Sequence, residues 1–222
     1  MKPSRRPAGT PANLSDSIHH QLNMYALAAS AAGVGVLALA QCSQAKIVYT
    51  HAHYIIQKPF NLDLNHDGRG DFRFVFKGSP HTLMLSVRPV RHTENEVWGT
   101  FETHRGSFYA SALNAGVVLG SSGTKFNHGH DLMFQTSSQA QRYYFGLWRN
   151  VQNRYLGLKF RIQGKVHYGW ARLSILSSTP LLTGYAYETI PGKAIITGKT
   201  EGPDVITVEP GSLGVLAAGA RK

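Results

Sequence analysis

The residues best suited to chemistry are oxygen donors that recur along one short segment, residues 63–71, with the sequence DLNHDGRGD. The candidate ligands are Asp63, Asn65, Asp67 and Asp71, with the backbone carbonyl of Arg69 as a further donor. Gly68 permits the sharp bend that would turn these groups toward one point. Carboxylates gathered in this way repel each other unless a cation lies among them. Because Ca²⁺ accepts about six to eight oxygens in irregular geometry, whereas Mg²⁺ requires a stricter octahedron, the segment predicts a Ca²⁺ site.

The spacing of this loop, D-x-N-x-D-G-x-x-D followed by the aromatic Phe72, resembles the calcium loops of FG-GAP repeats and dockerin-like modules. It is less similar to an EF-hand, because Phe74 stands where the EF-hand has its last Glu, and strand-like alternation follows. The motif occurs once, which excludes a propeller built from such repeats. The alternative is a turn in which the Asp and Asn side chains bond only to backbone groups. If a metal binds, we expect it to stabilise the structure rather than bridge a ligand.

Two histidine pairs are further candidate ligands, because imidazole nitrogens bind zinc and copper. His51 and His53 are two residues apart in a strand-like segment, which places both rings on one face. His128 and His130 form a second pair in a segment rich in Gly, Ser and Asn. The pairs would form a transition-metal site only if they met in space. The alternative is that these rings are exposed or hydrogen-bonded.

No catalytic motif accompanies these candidates, since the sequence contains no G-x-S-x-G, H-E-x-x-H or Gly-rich phosphate loop. We therefore expect a non-catalytic binding or structural protein. The alternative is a secreted carbohydrate-active hydrolase, or a carbohydrate-binding module, on a jelly-roll scaffold. A hydrolase would need two carboxylates that face each other across a cleft. The acids outside the loop that could serve are Glu94, Glu96, Glu102, Asp131 and Glu188.

Several aromatic residues could offer a flat surface to sugar rings. They are Tyr143, Tyr144, Trp148 and Tyr155. The alternative is that they pack in the core, which is common for aromatic residues in strands.

The elements that must position all of these residues are β-strands. From residue 46 to about residue 200, short β-branched or aromatic runs are separated by Gly, Pro, Asn and Ser. Apolar and polar residues alternate with period two at 72–76 and 156–162. Gln163 and Gly164 predict a tight reversal between two strands, and residues 114–131 predict a rim loop. The sequence therefore predicts one all-β domain at 46–200, an antiparallel β-sandwich or jelly roll.

Residues 1–45 are typical of a signal peptide with a long n-region. Three basic residues precede an uncharged apolar run at 23–40, and residues 43–45 (SQA) fit a cleavage site, so we expect the mature chain to begin at Lys46. The alternatives are an uncleaved anchor and lipidation at Cys42. We expect export to the periplasm, cell surface or extracellular space, with no stable membrane span in the mature chain. Because Cys42 is the sole cysteine, a bound metal would replace the disulfides common in exported domains.

The charge of the protein bears on its partners. The formal charge is +11, and without residues 1–45 the chain keeps 20 Lys+Arg against 11 Asp+Glu. The basic residues are scattered singly along strand-like segments, without a nucleic-acid recognition motif, so we expect no nucleic-acid partner. Extracellular polysaccharide or an anionic cell surface is the expected partner instead.

The second half contains three distinctive segments: YLGLKF at 155–160, VHYGWARL at 166–173 and GYAYETIPG at 184–192. Together they resemble exported bacterial proteins that carry PEP-CTERM sorting tails. The resemblance implies association with the cell surface or matrix and, for most members, no assigned activity. Residues 201–222 would then be a linker and a degenerate tail, because VEP at 208–210 replaces PEP. The apolar part of this tail, 213–220, is far shorter than the roughly 20 residues of a spanning helix, so the tail is either degenerate or truncated.

Overall fold

The computed structural model describes residues 46–79, 81–103, 106–122, 125–137 and 143–208. The predicted signal peptide with Cys42, and residues 209–222 of the predicted tail, lie outside the described residues. Within the described ranges the chain forms strands and turns without a helix. This part of the chain therefore contains no helix that is long and apolar enough to cross a membrane. The prediction of an all-β fold is confirmed.

Strands are numbered β1 to β15 over the described ranges. Their bounds are β1 Ile47–Ile55, β2 Phe60–Leu62, β3 Phe72–Ser79, β4 Thr82–Pro89, β5 Glu96–Glu102, β6 Ser107–Ala110, β7 Val118–Leu119, β8 Phe126–Asn127, β9 Asp131–Ser137, β10 Tyr143–Phe145, β11 Val151–Ile162, β12 Lys165–Leu176, β13 Thr179–Glu188, β14 Ile195–Ile196 and β15 Val205–Val208. The predicted rim loop at 114–131 is only partly irregular, because it contains β7 and β8.

Most of the strands belong to one hydrogen-bonded sheet. Its order is β15-β1-β13-β12-β11-β5-β6-β9-β4-β3-β2, with β10 beside β9 and β8 beside β5, while β7 and β14 form a separate pair. The neighbours are antiparallel except for β1 with β15 and β6 with β9, which are parallel and depart from the antiparallel prediction. β5 joins the two halves, because Val97 pairs with Leu158 of β11 and Gly99 pairs with Ala110 of β6.

The predicted hairpin at Gln163 and Gly164 is confirmed as the connection between β11 and β12. Ile162 pairs with Lys165, and the two residues between them have φ values of 50° and 78°. Positive φ at both central residues is the geometry of a type I′ turn, whose twist matches that of the flanking strands. The turn therefore aligns the two longest strands of the sheet.

Apolar residues from both halves of the sheet pack into one buried cluster. Leu156 and Leu158 of β11 belong to the same cluster as Phe72 and Phe74 of β3, and all four side chains are fully buried. A second buried cluster surrounds Trp170 of β12. Burying a side chain of this size contributes about 1.5–3 kcal/mol. The end of the sheet that carries β2 and β3 is thus anchored in the main core.

Candidate metal centre and its surroundings

The predicted Ca²⁺ loop connects β2 to β3, an antiparallel hairpin at the end of the sheet. Phe60 pairs with Phe74, and Leu62 pairs with Phe72, so apolar residues hold the two ends of the loop together. The rings of Phe60 and Phe74 stack with their centroids 5.1 Å apart. The N–H of Asp71 donates to the carbonyl of Leu62 at 2.8 Å. Core packing therefore brings the first and last candidate ligands close together.

The loop bends through two residues of positive φ, His66 at 61° and Gly68 at 85°. Nothing lies within 4 Å of the position that a Cβ of Gly68 would take, so it is the backbone conformation that favours glycine here. His66 Nε2 shares a hydrogen bond of 2.8 Å with Thr50 Oγ1, and its ring centroid lies 5.7 Å from that of Tyr185. Leu64 is fully buried. The loop is thus fastened to β1, to β13 and to the core.

The carboxylates of Asp63 and Asp67 organise the turn through hydrogen bonds. Asp63 accepts from the N–H groups of Asp67 at 3.3 Å and Gly68 at 2.8 Å, one on each oxygen. Asp67 accepts from the N–H of Arg69 at 2.8 Å and from Nδ2 of Asn65 at 3.1 Å. These contacts fit the alternative prediction, a turn that is closed by hydrogen bonds of its own Asp and Asn side chains. They leave each carboxylate oxygen a second lone pair with which to bind a cation.

Asp71 closes the loop from the buried side. Its Oδ2 accepts the N–H of Leu64 at 2.8 Å, and Nδ2 of Asn95 lies 3.5 Å from its Oδ1. Asp63 and Asp71 are only 6% and 8% exposed. Burial, with the nearby carboxylates of Asp63 and Asp67, raises the pKa of Asp71 from 3.8 to about 7, against the opposing hydrogen bond from Leu64. The carboxylates of Asp63 and Asp67 therefore lie close enough to Asp71 to disfavour its charge.

The predicted ligands lie on one turn, between β2 and β3. Over the described ranges, no group of three or more His, Cys, Asp or Glu side chains is arranged to hold a metal ion. Arg69 is exposed. Oδ1 of Asn65, however, is buried and has no hydrogen-bond partner. Within the same ranges, none of the three loop carboxylates forms an ion pair with Lys, Arg or His. Unpaired carboxylates beside an unpartnered amide oxygen match the hard oxygen donors that Ca²⁺ takes.

Asn95 supports the loop, although the sequence alone does not single it out. Its Nδ2 donates to the backbone carbonyl of Asp71 at 3.2 Å, and its Oδ1 accepts the N–H of Arg161 at 3.1 Å. The side chain is 2% exposed and lies just before β5. No local pattern links positions 71 and 95. The pairing of β3 with β4 is what brings the segment after β4 back to Asp71.

The two histidine pairs match the alternative prediction rather than a shared metal site. His51 and His53 are exposed on β1. His128 Nδ1 donates to the carbonyl of Asn95 at 3.0 Å, and His130 Nε2 shares a hydrogen bond of 2.6 Å with a serine hydroxyl of β4. No group of three or more potential metal ligands includes them in the part of the chain that the structure describes.

A groove of about 340 Å³ lies beside β5 and β6. It is lined by Thr100, Glu102, Tyr109, Tyr144, Phe145, Gly146 and Leu147. Tyr144 therefore fits the predicted aromatic surface. Trp148 and Tyr155 follow the alternative prediction, because they are 0% and 6% exposed and belong to the core. Nε1 of Trp148 donates to the carbonyl of Ala110 at 2.9 Å, which satisfies the one polar atom of this buried ring.

The acids considered for hydrolysis lie in three different environments. Glu94 and Glu96 form ion pairs with basic residues of β11, at 2.6 and 2.8 Å. Asp131 and Glu188 are buried, with 0% and 1% exposure. Glu102 is the one carboxylate among the described residues that line the groove. The pair of facing carboxylates that hydrolysis needs would have to include a residue beyond that lining.

Comparison of the chain with protein-family models, with curated proteins and with solved structures finds no match in any of the three. The resemblance to PEP-CTERM proteins and to FG-GAP and dockerin-like loops therefore stays a prediction from sequence.

Proposed function

We propose that this protein is an exported, calcium-stabilised β-domain that acts at the cell surface or in the extracellular matrix by binding or by structure, without catalysis. The observation that carries the proposal is the β2–β3 loop. There Asp63 and Asp71 are buried, and Oδ1 of Asn65 in the same loop is buried without a hydrogen-bond partner. No ion pair with a basic residue compensates the carboxylates over the described ranges. Burying a carboxylate without a counter-ion costs several kcal/mol, so a bound cation would stabilise the folded loop.

The chain offers donors of two kinds to such an ion. Asp63 and Asp71 would bind from the buried side and Asp67 from the exposed side, with Asn65 and the carbonyl of Arg69 as neutral donors. A Ca²⁺ ion would supply the positive charge that the loop lacks. Because the unfolded chain does not hold these groups together, free Ca²⁺ at roughly a hundred times its Kd would stabilise the domain by about 2.7 kcal/mol. That is comparable to one disulfide, typically about 2–4 kcal/mol.

Thermal unfolding with and without Ca²⁺ tests the proposal. We expect saturating Ca²⁺ to raise the Tm by about 5–10 °C relative to chelator, from the stabilisation above and the usual response of a domain of this size. Asp67→Asn should lose most of the increment, because it removes one charge while an amide oxygen can still accept from Arg69. Glu201→Gln, at an exposed acid outside the loop, should keep the increment.

A Tm that is the same in Ca²⁺ and in chelator would contradict the proposal, and so would an increment retained in full by Asp67→Asn. An equal increment from Mg²⁺ alone would contradict the choice of Ca²⁺, since the irregular loop is expected to disfavour the stricter geometry of Mg²⁺.

For the architecture we propose a β-sandwich, as the sequence predicts. What supports it is the core cluster, which contains side chains from the strands on both sides of β5 in the sheet order. The exported location is supported by residues 1–45 and by the resemblance to PEP-CTERM proteins. Surface binding is supported by the basic charge of the chain.

The alternative, carbohydrate binding or hydrolysis, is favoured by the groove that contains Tyr109, Tyr144 and Glu102. Aromatic faces and a carboxylate are suited to contact a sugar ring. A glycan array would test it: Tyr144→Ala should lose the binding, whereas Phe101→Ala, at an exposed aromatic outside the groove lining, should not. Release of reducing sugar from a bound glycan, abolished by Glu102→Gln, would identify a hydrolase.

A further inference from the structure

A second cleft, of about 330 Å³, lies between the β4–β5 connection and the segment that precedes β9. Arg88, Arg91 and His92 line one side, and His128 and His130 line the other. These residues are scattered in the sequence, and only the pairing of β4 with β9 brings the two segments together. The described lining contains no Asp or Glu. Two arginines and three histidines thus line one recess.

The two arginines of the cleft are not neutralised by acids of the described ranges. Neither Arg88 nor Arg91 forms an ion pair there, and the two acids that follow them in sequence, Glu94 and Glu96, are already paired with basic residues of β11. Glu96 approaches the cleft, with Oε1 at 3.6 Å from Nε2 of His128, but it forms an ion pair with Lys159 at 2.8 Å. The guanidinium groups are therefore available to an external anion.

Two histidines of the cleft, His128 and His130, are held in place by hydrogen bonds. His128 donates from Nδ1 to the carbonyl of Asn95, and His130 bonds to Ser86 Oγ, whose residue is 2% exposed. Burial, with the positive charges of Arg88 and Lys77, lowers the pKa of His130, so this ring is neutral at neutral pH. Because these two rings are already fixed, they lose little conformational entropy when a ligand binds.

Asp131 lies close to the cleft but is not part of its lining. It is fully buried, and its Oδ2 accepts a hydrogen bond of 3.0 Å from Nδ2 of Asn127. A Cβ on Gly129, which does line the cleft, would lie 2.9 Å from Oδ1 of Asp131. The carboxylate therefore sits behind the backbone of the lining rather than on its surface.

We propose that this cleft binds the carboxylate or sulfate group of an acidic polysaccharide. The inference rests on the proposed role as an extracellular binding domain and names the chemistry of its ligand. An arginine fork donates two parallel hydrogen bonds to a planar carboxylate or to two oxygens of a sulfate. A recess of this volume encloses a charged group with part of its sugar ring, whereas a membrane surface is flat and would contact only the rim.

The cleft and the calcium loop touch but use different side chains. The N–H of Val90 donates to the carbonyl of Asp71 at 3.0 Å, and Asn95 joins Asp71 to His128. The ligand-binding groups of the cleft include none of the loop residues. The two sites can therefore be tested separately.

Calorimetric titration at fixed ionic strength tests the cleft. The probes are hyaluronan for carboxylate, dextran sulfate for sulfate and neutral dextran as the uncharged reference. Replacing Arg88 and Arg91 together by Gln should weaken binding to at least one charged polymer by about tenfold or more, the size expected for losing charge-assisted hydrogen bonds. Replacing Lys58 and Lys165 by Gln removes the same charge from exposed positions elsewhere and should change affinity less than about twofold.

Equal losses in the two double variants would overturn the proposal, because they would show attraction by overall charge. Binding to vesicles of phosphatidylglycerol without binding to either charged polymer would overturn it as well. If the double variant does not fold, Arg91→Gln alone, at an exposed position, replaces it in the titration. This single variant should still bind the charged polymer several-fold more weakly than the unsubstituted protein. The calcium proposal is decided by Tm and the cleft by this titration, so either can fail without the other.

Discussion

Three buried side-chain atoms in the described part of the chain have no hydrogen-bond partner: Oδ1 of Asn65, Oδ1 of Asp131 and Nε1 of Trp170. An unsatisfied buried polar atom costs about 1–3 kcal/mol, so such atoms point to a group that is bound or protonated. For Asn65 the proposed Ca²⁺ ion supplies the partner. For Asp131 a proton relieves the cost. Nothing in the structure explains the unpaired atom of Trp170.

Asp131 is the clearest titrating group outside the loop. Burial raises its pKa from 3.8 to about 6, against the hydrogen bond donated by Asn127. The carboxyl lies in a space left by two glycines, because a Cβ on Gly99 would overlap its Oδ2 and one on Gly129 would press on Oδ1. The folded protein therefore holds this proton more tightly than the unfolded chain.

Replacing Asp131 by Asn should change how stability depends on pH. Because the folded-state pKa lies above the unfolded value, the stabilisation from this group is fully present below about pH 4 and is lost as pH rises through about 6. The unfolding free energy of Asp131→Asn relative to the unsubstituted protein should therefore grow by about 2–3 kcal/mol between pH 4 and pH 8. Urea unfolding at each pH measures this difference.

The exposed-acid variant Glu201→Gln is the control for that series, and its curve should run parallel to that of the unsubstituted protein. If the Asp131→Asn curve is also parallel, Asp131 does not titrate as its burial implies.

At the scale of the elements, two-residue turns set the register of the long strands. The β11–β12 turn has Gly164 at its second position, with φ of 78°. In the β12–β13 turn, Ser177 and Ser178 also have positive φ, at 49° and 63°. They lie between the paired residues Leu176 and Thr179. Serine adopts this conformation less readily than glycine or asparagine, so the second turn carries a strain that the first avoids.

Exchanging the residues of these two turns should move stability in opposite directions. Ser178→Gly is expected to stabilise the protein by about 0.5–1 kcal/mol, because it removes the penalty of positive φ. Gly164→Ser, the matched reverse change, should destabilise it by about 1 kcal/mol. Urea unfolding of both variants at one pH checks the pair. A loss of stability in Ser178→Gly would show that the serine hydroxyl, and not the backbone, decides this position.

At the scale of the whole molecule, the two ends of the described domain meet in one sheet. β1 lies between β13 and β15, and Ile47 pairs with both Glu188 and Val205. The N–H of Lys46 donates to Oγ1 of Thr189 at 3.2 Å, and the N–H of Thr189 donates back to the carbonyl of Lys46. Lys46, the residue after the predicted cleavage site, thus takes part in this pairing.

We expect exported protein to begin at Lys46. A free ammonium group at that residue can still donate to Thr189, so cleavage after residue 45 would preserve the pairing of β1. Intact mass and terminal sequencing of protein recovered from the culture medium or periplasm would measure the new terminus. Exported material that still begins with Met1, or that begins with an acylated Cys42, would contradict this prediction.

Much of the fold follows from the sequence by itself. The alternation at 72–76 and 156–162 and the turn at Gln163 and Gly164 predict β3, β11 and the hairpin, because period and turn chemistry act within a few residues. The short strands β2, β7, β8 and β15 escape such reasoning. They are too short to show a period, and partners distant in sequence create them.

Some features of the candidate site also follow from the sequence, and others depend on the tertiary structure. The spacing of Asp63, Asn65 and Asp67 is local, so the sequence by itself determined that oxygen donors share one turn. Only the tertiary structure decided that Asn95 closes this turn, that Trp148 is core rather than surface, and that basic residues from two distant segments line one cleft. Such contacts depend on which strands pair across the sheet. The free energy that favours this pairing comes from packing throughout the core, so no single segment of the sequence determines it.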